Sequence, residues 1–514
     1  MKRKLLICQI VLLFLGSNPA DGQLAPEGEL KLWHTLSLTF EGPEAAESDP
    51  VNPFTFYRMN VYFMHENDTL IVPGFYAADG QAHESSASSG NRWRVYFNPP
   101  YTGEWNYIVS FRQGTDIAIS DDSSAGTPYM PLNGNAGSFE ISSSDKYGRD
   151  FRAKGLLEHH NEHFYRFRGD QSYFLKQGIG SPENYLAYFE FDNTQPQPGS
   201  DIKNLPDGLH HYEPHRKDWR PGNPSWQNGK GKGIIGVINY LASEGLNNVY
   251  MLLMNVNGDG REVYPWTSYT ERSRFDVSKL AQWELVFAYM QQQGVALHFV
   301  LQEAENDRLL NSGNLGLERR LYYREMIARF AHHNALFWNL GEENNRNTAQ
   351  LKADAAFFKQ HDPYRHPVKV HTKANSTSPD QIYDPLLGDT NFDATSLQQP
   401  HTVGHSIVLK WREKSKTAGF RWVIEHDEVN GGLSPDTPAT GNNQNTMRRN
   451  LLWGNLTGGG GGADWYFGYD PSRPIGDLDC EDFRSRAVFW DYCRYALQLF
   501  HHYLPSVLPD GAYG

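Results

Sequence analysis

The chain has 514 residues, enough for two or three domains or for one large barrel with a smaller module. Apolar residues make up 39% of the chain and aromatic residues 13%, which supplies a sizeable core and excludes global disorder. The formal net charge is -13, and this acidic excess argues against sequence-independent binding to nucleic acid.

The first 22 residues have the pattern of a secretory signal peptide. Positions 2–4 are basic, positions 5–15 are apolar apart from one glutamine, and Ala20 and Gly22 provide a small-residue exit for cleavage. The apolar run is too short to span a bilayer, and no later segment is long enough either. We therefore predict a secreted or periplasmic protein without a membrane span.

Residues 24–143 show the period-two alternation of β-strands. Clear examples are residues 30–40, 54–63 and 105–111, and turn-rich segments containing Gly, Pro, Asn and Asp separate them. Several short strands at regular spacing favour an all-β sandwich. The loop-like sequence around residue 145 is the predicted end of this domain.

From residue 150 to residue 514 the pattern changes to short apolar segments that alternate with helical ones. The apolar segments are 173–177, 248–254, 295–301, 336–340, 368–371, 392–397, 421–425 and 464–468. Residues 278–293 and 318–330 have the apolar spacing of helices. The fold class that follows is multidomain: an N-terminal all-β sandwich followed by an α/β (β/α)₈ TIM barrel. A doubly wound sheet is the weaker alternative, because no G-x-G-x-x-G follows a strand.

Two cysteines remain after the signal peptide, Cys480 and Cys493. The segment 483–503 has helical character, and 13 helical residues would separate the two sulfurs by about 20 Å. Because a disulfide requires Cα atoms within about 7 Å, two free thiols are favoured over a disulfide. No clustered Cys/His spacing points to zinc, and we expect no cofactor and no metal.

Polar side chains follow the predicted strands where a barrel carries its active site. These residues are Asn255 after the second strand, Gln302 after the third, Glu342 and Glu343 after the fourth, His371 at the fifth, Glu425, Asp427 and Glu428 at the seventh and Trp465 at the eighth. A single member of this set could be an ordinary solvated loop residue. Carboxylates at strands 4 and 7 face the same mouth, however, and two carboxylates are what cleavage of a glycosidic bond requires.

Two motifs resemble those of clan A glycoside hydrolases. Residues 338–344, W-N-L-G-E-E-N, resemble the acid/base motif at strand 4, and residues 422–428, W-V-I-E-H-D-E, resemble the strand-7 motif with its carboxylate nucleophile. The catalytic Glu of that clan commonly follows Asn, and here Glu342 occupies the Asn position. The resemblance implies that Glu343 is the general acid/base.

The N-terminal region also resembles a known kind of domain. Residues 52–54, 72–76 and 103–107 look like segments of a β-sandwich domain of unknown function that precedes such barrels in bacterial polysaccharide-degrading proteins. Relatives often continue into a C-terminal β-domain, and the resemblance implies that this module is missing or truncated here.

The position of the nucleophile depends on where strand 7 ends. Side chains alternate along a strand, so Glu425 and Asp427 share one face and Glu428 lies on the other. If the strand ends just before Glu425, that residue stands at the mouth; if it runs two or three residues further, Glu428 does. Glu428 is favoured, because it and residues 430–432 look more like the relatives with this N-terminal domain.

The remaining polar and aromatic residues at the mouth are expected to bind substrate. They are Glu342, Asn255, Gln302, His371, Glu425, Asp427 and Trp465. Trp465 would stack on a sugar ring, and packing within the barrel is the equally weighted alternative for it.

The leading hypothesis is a secreted glycoside hydrolase with a two-carboxylate, retaining mechanism. The alternatives are a non-catalytic carbohydrate-binding protein and a polysaccharide lyase. The expected partner is a polysaccharide or oligosaccharide, with neither nucleic acid nor a membrane, and the oligomeric state is open. The resemblance includes enzymes of algal galactans, and a sulfated polymer would need basic contacts. Candidates are Arg216, Lys217, Arg220, Lys230 and Lys232, although such residues are more often solvated loop charges.

Overall fold

The computed structural model describes residues 26–429, 443–469 and 475–507, with side chains described as far as His502. The predicted signal peptide and residues 430–432, which weighed in the choice of nucleophile, lie outside the described residues.

The N-terminal region consists of two antiparallel sheets. Its strands are β1 (Leu36–Ala46), β2 (Tyr57–His65), β3 (Asp68–Pro73), β4 (Phe75–Tyr76), β5 (Ser89–Phe97), β6 (Gly103–Gln113), β7 (Thr127–Pro128) and β8 (Ala136–Ile141). One sheet has the order β1-β5-β4, and the other has the order β3-β2-β6-β7 with β8 paired to β6. Phe63 and Phe97 stack between the sheets with ring centroids 3.9 Å apart. The predicted all-β sandwich is confirmed, and its helices α1 (Pro53–Phe56) and α2 (Ala82–Ser85) are single turns.

A small antiparallel sheet follows the sandwich in the chain and precedes the barrel strands. Its strands are β9 (Leu157–Glu158), β10 (Tyr165–Phe167) and β11 (Tyr173–Phe174). Phe174 packs with Phe337 and Val423, so this sheet covers one end of the barrel. The prediction of a barrel strand over 173–177 is therefore wrong in its start: β11 pairs antiparallel with β10, and the barrel strand begins at Lys176.

Eight parallel strands form the barrel. They are β12 (Lys176–Ile179), β13 (Asn248–Leu252), β14 (Ala296–Val300), β15 (Leu336–Asn339), β16 (Val368–Lys369), β17 (Leu397–Gln399), β18 (Glu425–Val429) and β19 (Gly462–Trp465). Their order is β16-β15-β14-β13-β12-β19-β18-β17. A parallel bridge between His371 and Ser396 joins the two outer strands, which closes the sheet. The predicted TIM barrel is confirmed.

Helices surround the barrel. They are α3 (Phe151–Lys154), α4 (Lys232–Ser243), α5 (Val277–Gln292), α6 (Leu317–Phe330), α7 (Thr348–His361), α8 (Ser378–Tyr383), α9 (Gly404–Thr417), α10 (Gln444–Met447), α11 (Trp453–Thr457) and α12 (Ala487–Val507). The predicted helices over 278–293 and 318–330 correspond to α5 and α6. No helix in the described ranges combines the length and the apolarity needed to cross a bilayer.

Two barrel strands lie further along the chain than the sequence predicts. The sixth was predicted over 392–397 and the seventh over 421–425, whereas β17 and β18 begin at Leu397 and Glu425. The apolar runs lead into these strands, and the strands themselves carry polar side chains. A strand of sequence E-H-D-E-V is stable inside the barrel because lysines on β12 and β16 pair with its carboxylates.

The sandwich packs against the barrel near α5 and α6. The Asn98 side-chain amide donates to the His332 carbonyl at 2.7 Å, and the Arg329 guanidinium donates to the Tyr76 carbonyl at 2.9 Å. The same guanidinium lies 4.4 Å from the centroid of the Phe75 ring. These buried bonds tie the two parts together on the flank of the barrel.

Cys480 and Cys493 are free thiols, as predicted, and both are buried. Cys480 precedes α12 and Cys493 lies within it.

Candidate active site

The carboxyl ends of the barrel strands surround a cavity of about 380 Å³. The described residues that line it are Glu183, Asp259, Glu303, Ala304, Glu305, Glu342, Glu343, Gln398, Glu428, Tyr466 and Tyr469. Seven of these are carboxylates, and none of the described lining residues is Lys, Arg or His. All of them belong to the barrel, so the sandwich contributes no described wall to the cavity.

Glu428 reaches the cavity because β18 contains a bulge. Leu397 pairs with His426 and Gln398 pairs with Glu428, which leaves Asp427 as an extra residue. Strict alternation would turn Glu428 away from the face that Asp427 occupies. With the bulge, Asp427 points into the barrel interior and Glu428 points into the cavity.

Glu342 and Glu343 both line the cavity from the loop after β15. The Glu342 N–H donates to the Gln302 carbonyl at 2.9 Å, which fixes this loop to the end of β14. Glu343 has φ of 41°, a left-handed conformation that costs free energy in a residue with a Cβ. Its N–H donates to Nδ1 of His371 at 3.3 Å, so the strained turn is held by a buried ring.

His371 lies between the backbone of Glu343 and the carboxylate of Glu428. Since Nδ1 accepts from Glu343, the neutral ring carries its proton on Nε2, and Nε2 lies 3.8 Å from a carboxylate oxygen of Glu428. Burial lowers the pKa of His371 to about 4, which keeps the ring neutral at physiological pH. The ring is fully buried, is not among the described residues that line the cavity, and holds the Glu343 turn through this hydrogen bond.

Three buried carboxylates meet at the floor of the cavity. Glu183, Glu342 and Glu428 each place one oxygen within 4.8 Å of the others. Burial, aided by repulsion between the carboxylates, raises the pKa of Glu342 to about 8. Burial also raises the pKa of Glu183 and of Glu428 well above the usual range for Glu. The cluster therefore retains protons at neutral pH, and its spacing would also suit a divalent cation with oxygen ligands.

The proton on Glu342 links stability to pH. Because the folded state favours the neutral acid, this contribution is fully present below pH 4.5 and is lost as the pH rises through about 8. We expect Glu342→Gln, which mimics the neutral acid, to be more stable than the wild type at pH 8 by at least about 1 kcal/mol. Urea unfolding at pH 4.5 and pH 8 measures the difference, with exposed Glu140→Gln as the control. An equal effect of Glu342→Gln at both pH values would contradict the prediction.

A buried ionic cluster fills the barrel interior below the cavity. Lys176 contacts Asp427, and its Nζ lies 3.0 Å from Asp464, while Lys369 Nζ lies 2.8 Å from Glu425. All five side chains have no exposed surface. Although burial opposes it, Asp427 and the other carboxylates hold the pKa of Lys176 above its usual range. Glu425 and Asp427, predicted to bind substrate, thus pair with lysines inside the barrel and do not line the cavity.

Asn255 and Gln302 are placed behind the cavity wall. The Asn255 side-chain carbonyl accepts from the Val263 N–H at 3.0 Å, which closes the loop after β13. The Gln302 side chain accepts from Arg319 at 2.7 Å and donates to Asp307 at 2.6 Å. Both amides are fully buried and shape the loops that carry the lining residues.

Trp465 also lies outside the cavity lining. Its ring is fully buried, donates through Nε1 to the side-chain carbonyl of Gln177 at 3.0 Å, and packs edge-on against Phe489 at 4.6 Å. The aromatic residues that do line the cavity are Tyr466 and Tyr469, which follow it in the chain.

Sequence reasoning did not assign a role to Glu183, Asp259 or Asp477. Glu183 follows the end of β12, so the rule that found the other mouth residues applies to it as well. Because the first strand was predicted to end at residue 177 and β12 ends at Ile179, Glu183 was not recognised as a residue at the mouth. Asp477 accepts from the Glu183 N–H at 3.2 Å, and burial raises its pKa to about 7. No sequence pattern indicates that this late loop reaches the site.

Comparisons with known proteins agree with this architecture. Residues 29–112 match the model of a domain of unknown function, DUF5060. No curated protein matches the chain. A candidate glycoside hydrolase from Bacteroides vulgatus ATCC 8482 superposes with a TM-score of 0.59 at 16% identity, over 92% of this chain and 78% of that one.

Two further solved structures are less similar. A glycoside hydrolase family 5 mannosidase from Rhizomucor miehei has a TM-score of 0.46 and 10% identity, over 68% of this chain and 99% of that one. A family 5 glycoside hydrolase from Bacteroides vulgatus ATCC 8482 has a TM-score of 0.43 and 13% identity, over 70% and 73%. The chain thus resembles, in fold, TIM-barrel glycoside hydrolases, with an N-terminal β domain of unknown function before the barrel.

Proposed function

We propose that the protein is a secreted glycoside hydrolase that cleaves a polysaccharide by a two-carboxylate, retaining mechanism. The observation that carries the proposal is that Glu343 after β15 and Glu428 on β18 line one cavity at the carboxyl ends of the barrel strands. Residues 150–514 are the catalytic barrel in this proposal, and residues 24–143 are a supporting sandwich domain. Residues 1–22 direct export.

Each carboxylate has a distinct task in this mechanism. Glu343 protonates the oxygen of the leaving sugar while Glu428 attacks the anomeric carbon, and the resulting glycosyl-enzyme is hydrolysed by water that Glu343 deprotonates. Attack requires ionised Glu428, so the protons that the cluster retains must lie on its other members. Glu342, with a pKa raised by burial to about 8, is suited to hold one of them.

Replacing Glu343 by Gln tests the acid/base role. We expect kcat/KM on the natural polymer to fall roughly 10²–10⁴-fold, because a positioned general acid contributes that much. Activity on an aryl glycoside with an activated leaving group should fall much less, since such a group leaves without protonation. Azide should accelerate the variant and give a glycosyl azide of retained configuration.

The matched control is Glu342→Gln, which alters the neighbouring carboxylate in the same cavity. If Glu342→Gln shows the azide response and Glu343→Gln does not, the acid/base role passes to Glu342. Near-normal activity of Glu343→Gln on the natural polymer would contradict the assignment directly.

Product analysis on a panel of neutral, sulfated and amino-sugar polysaccharides distinguishes the proposal from its rivals. Hydrolysis gives new reducing ends, and the anomeric configuration of the first product, followed by NMR, should match that of the substrate. A lyase would give unsaturated ends that absorb in the ultraviolet. A non-catalytic binding protein would leave the chain length unchanged after long incubation while still binding the polymer.

A further inference from the structure

The cavity carries more negative charge than the proposed reaction uses. The mechanism needs Glu343 and Glu428, and five other carboxylates also line the cavity. Two of these, Glu183 and Glu342, belong to the buried cluster with Glu428, and the remaining three are Asp259, Glu303 and Glu305. We call these three residues the acidic subsite. They lie on the loops after β13 and β14, and no described Lys, Arg or His lines the cavity to compensate them.

Glu303 is the most constrained member of the acidic subsite. Its side chain is 5% exposed, and neither of its carboxylate oxygens has a hydrogen-bond partner within the described structure. It lies directly against the backbone of Gly258, where an added Cβ would come within 1.1 Å of the carboxylate. A glycine at this position therefore makes room for an unpaired carboxylate, although an unpaired buried carboxylate costs free energy.

The carboxylates around Glu303 oppose its ionisation, and a bound cation would relieve that repulsion. Burial, together with the charges of Glu342, Asp259 and Glu305, raises the pKa of Glu303 well above its usual range. Burial also raises the pKa of Asp259 to about 6. A positively charged group with several N–H donors would favour the ionised form of these carboxyl groups and satisfy their oxygens, so its binding would release the proton that Glu303 otherwise retains.

We propose that the acidic subsite binds the ammonium group of an amino sugar, so that the substrate is a polysaccharide with unacetylated amino sugars. This inference rests on the proposed hydrolase function. An ammonium ion has three donors and no acceptor, which matches a site built of acceptors alone. Sulfate esters and uronates would be repelled, and the basic residues at positions 216–232 that could have bound them do not line the cavity.

The test uses monosaccharide probes, which report binding without any reaction. Glucosamine and galactosamine are titrated against their N-acetylated forms and against glucose and galactose, with NMR or calorimetry as the readout. We expect the amino sugars to bind at least about tenfold more tightly, with an affinity that falls as salt is added. The double variant Asp259→Asn/Glu303→Gln should lose this preference, while Glu140→Gln, on the exposed surface of β8, should keep it.

Two results of the binding experiments would overturn the inference, and a third would come from hydrolysis assays. One is equal binding of amino and neutral sugars by the wild type. The other is stabilisation by micromolar Ca²⁺ or Mn²⁺ without discrimination between sugars, which would assign the carboxylates to a metal. Hydrolysis of neutral polymers with no amino-sugar preference would leave the proposed function intact and reject this inference. Amino-sugar binding without hydrolysis of any polysaccharide would support this inference and reject the proposed hydrolase function.

Discussion

Replacing Glu428 by Ala should reduce kcat/KM by about 10⁴-fold or more, the largest catalytic effect we expect, because loss of the proposed nucleophile would remove the covalent route altogether. Unlike Glu343→Gln, this variant should lose activity on activated aryl glycosides too, since both kinds of substrate need the attack. Steady-state kinetics on the two substrates measures this difference.

Azide provides the discriminating experiment for Glu428. In the cavity left by Glu428→Ala, azide can attack the anomeric carbon directly, and the product should be a glycosyl azide of inverted configuration. Recovery with retained configuration, or less than a tenfold loss of activity, would show that Glu428 is not the nucleophile.

Replacing Lys176 by Met should cost about 3–5 kcal/mol of unfolding free energy, the largest stability effect we expect. Lys176 contacts Asp427 and lies 3.0 Å from Asp464, with all three side chains fully buried. Removing the lysine leaves carboxylates without a counter-charge in the barrel interior. Urea unfolding at neutral pH, followed by circular dichroism, gives the difference from wild type.

The double variant Lys176→Met/Asp427→Asn separates loss of charge balance from loss of packing. If the unpaired carboxylate is the main cost, the double variant should be more stable than Lys176→Met alone. Lys352→Met is the matched control, because that side chain is 42% exposed and its removal should change stability by less than about 0.5 kcal/mol. A Lys176→Met variant as stable as this control would refute the role of the cluster.

The sequence predicted the architecture better than the bounds of individual strands. Hydrophobic periodicity located α5 and α6 and all eight barrel strands approximately, because periodicity reports which face is buried. Hydrophobic periodicity did not locate strands accurately where the buried side chains are polar. β18 carries E-H-D-E-V, and its position became visible only with Lys176 and Lys369, which come from strands far away in sequence.

The candidate site was predicted in part, for a comparable reason. The rule that active-site residues follow the barrel strands identified Glu342, Glu343 and Glu428, and these three residues line one cavity. It could not separate Trp465, which packs inside the barrel, from Tyr466, which lines the cavity. That distinction depends on the direction of each side chain, which tertiary packing determines.

The bulge in β18 makes the chemistry of this barrel depend on the length of one strand. Asp427 is the residue without a partner in the ladder with β17. A homologue that lacked Asp427 would restore the regular ladder with Glu428 still opposite Gln398, but Lys176 would lose the carboxylate that it contacts. The extra residue thus lets one strand supply both a counter-charge for the barrel interior and a carboxylate for the cavity, and strand length at this position becomes a criterion for sorting relatives.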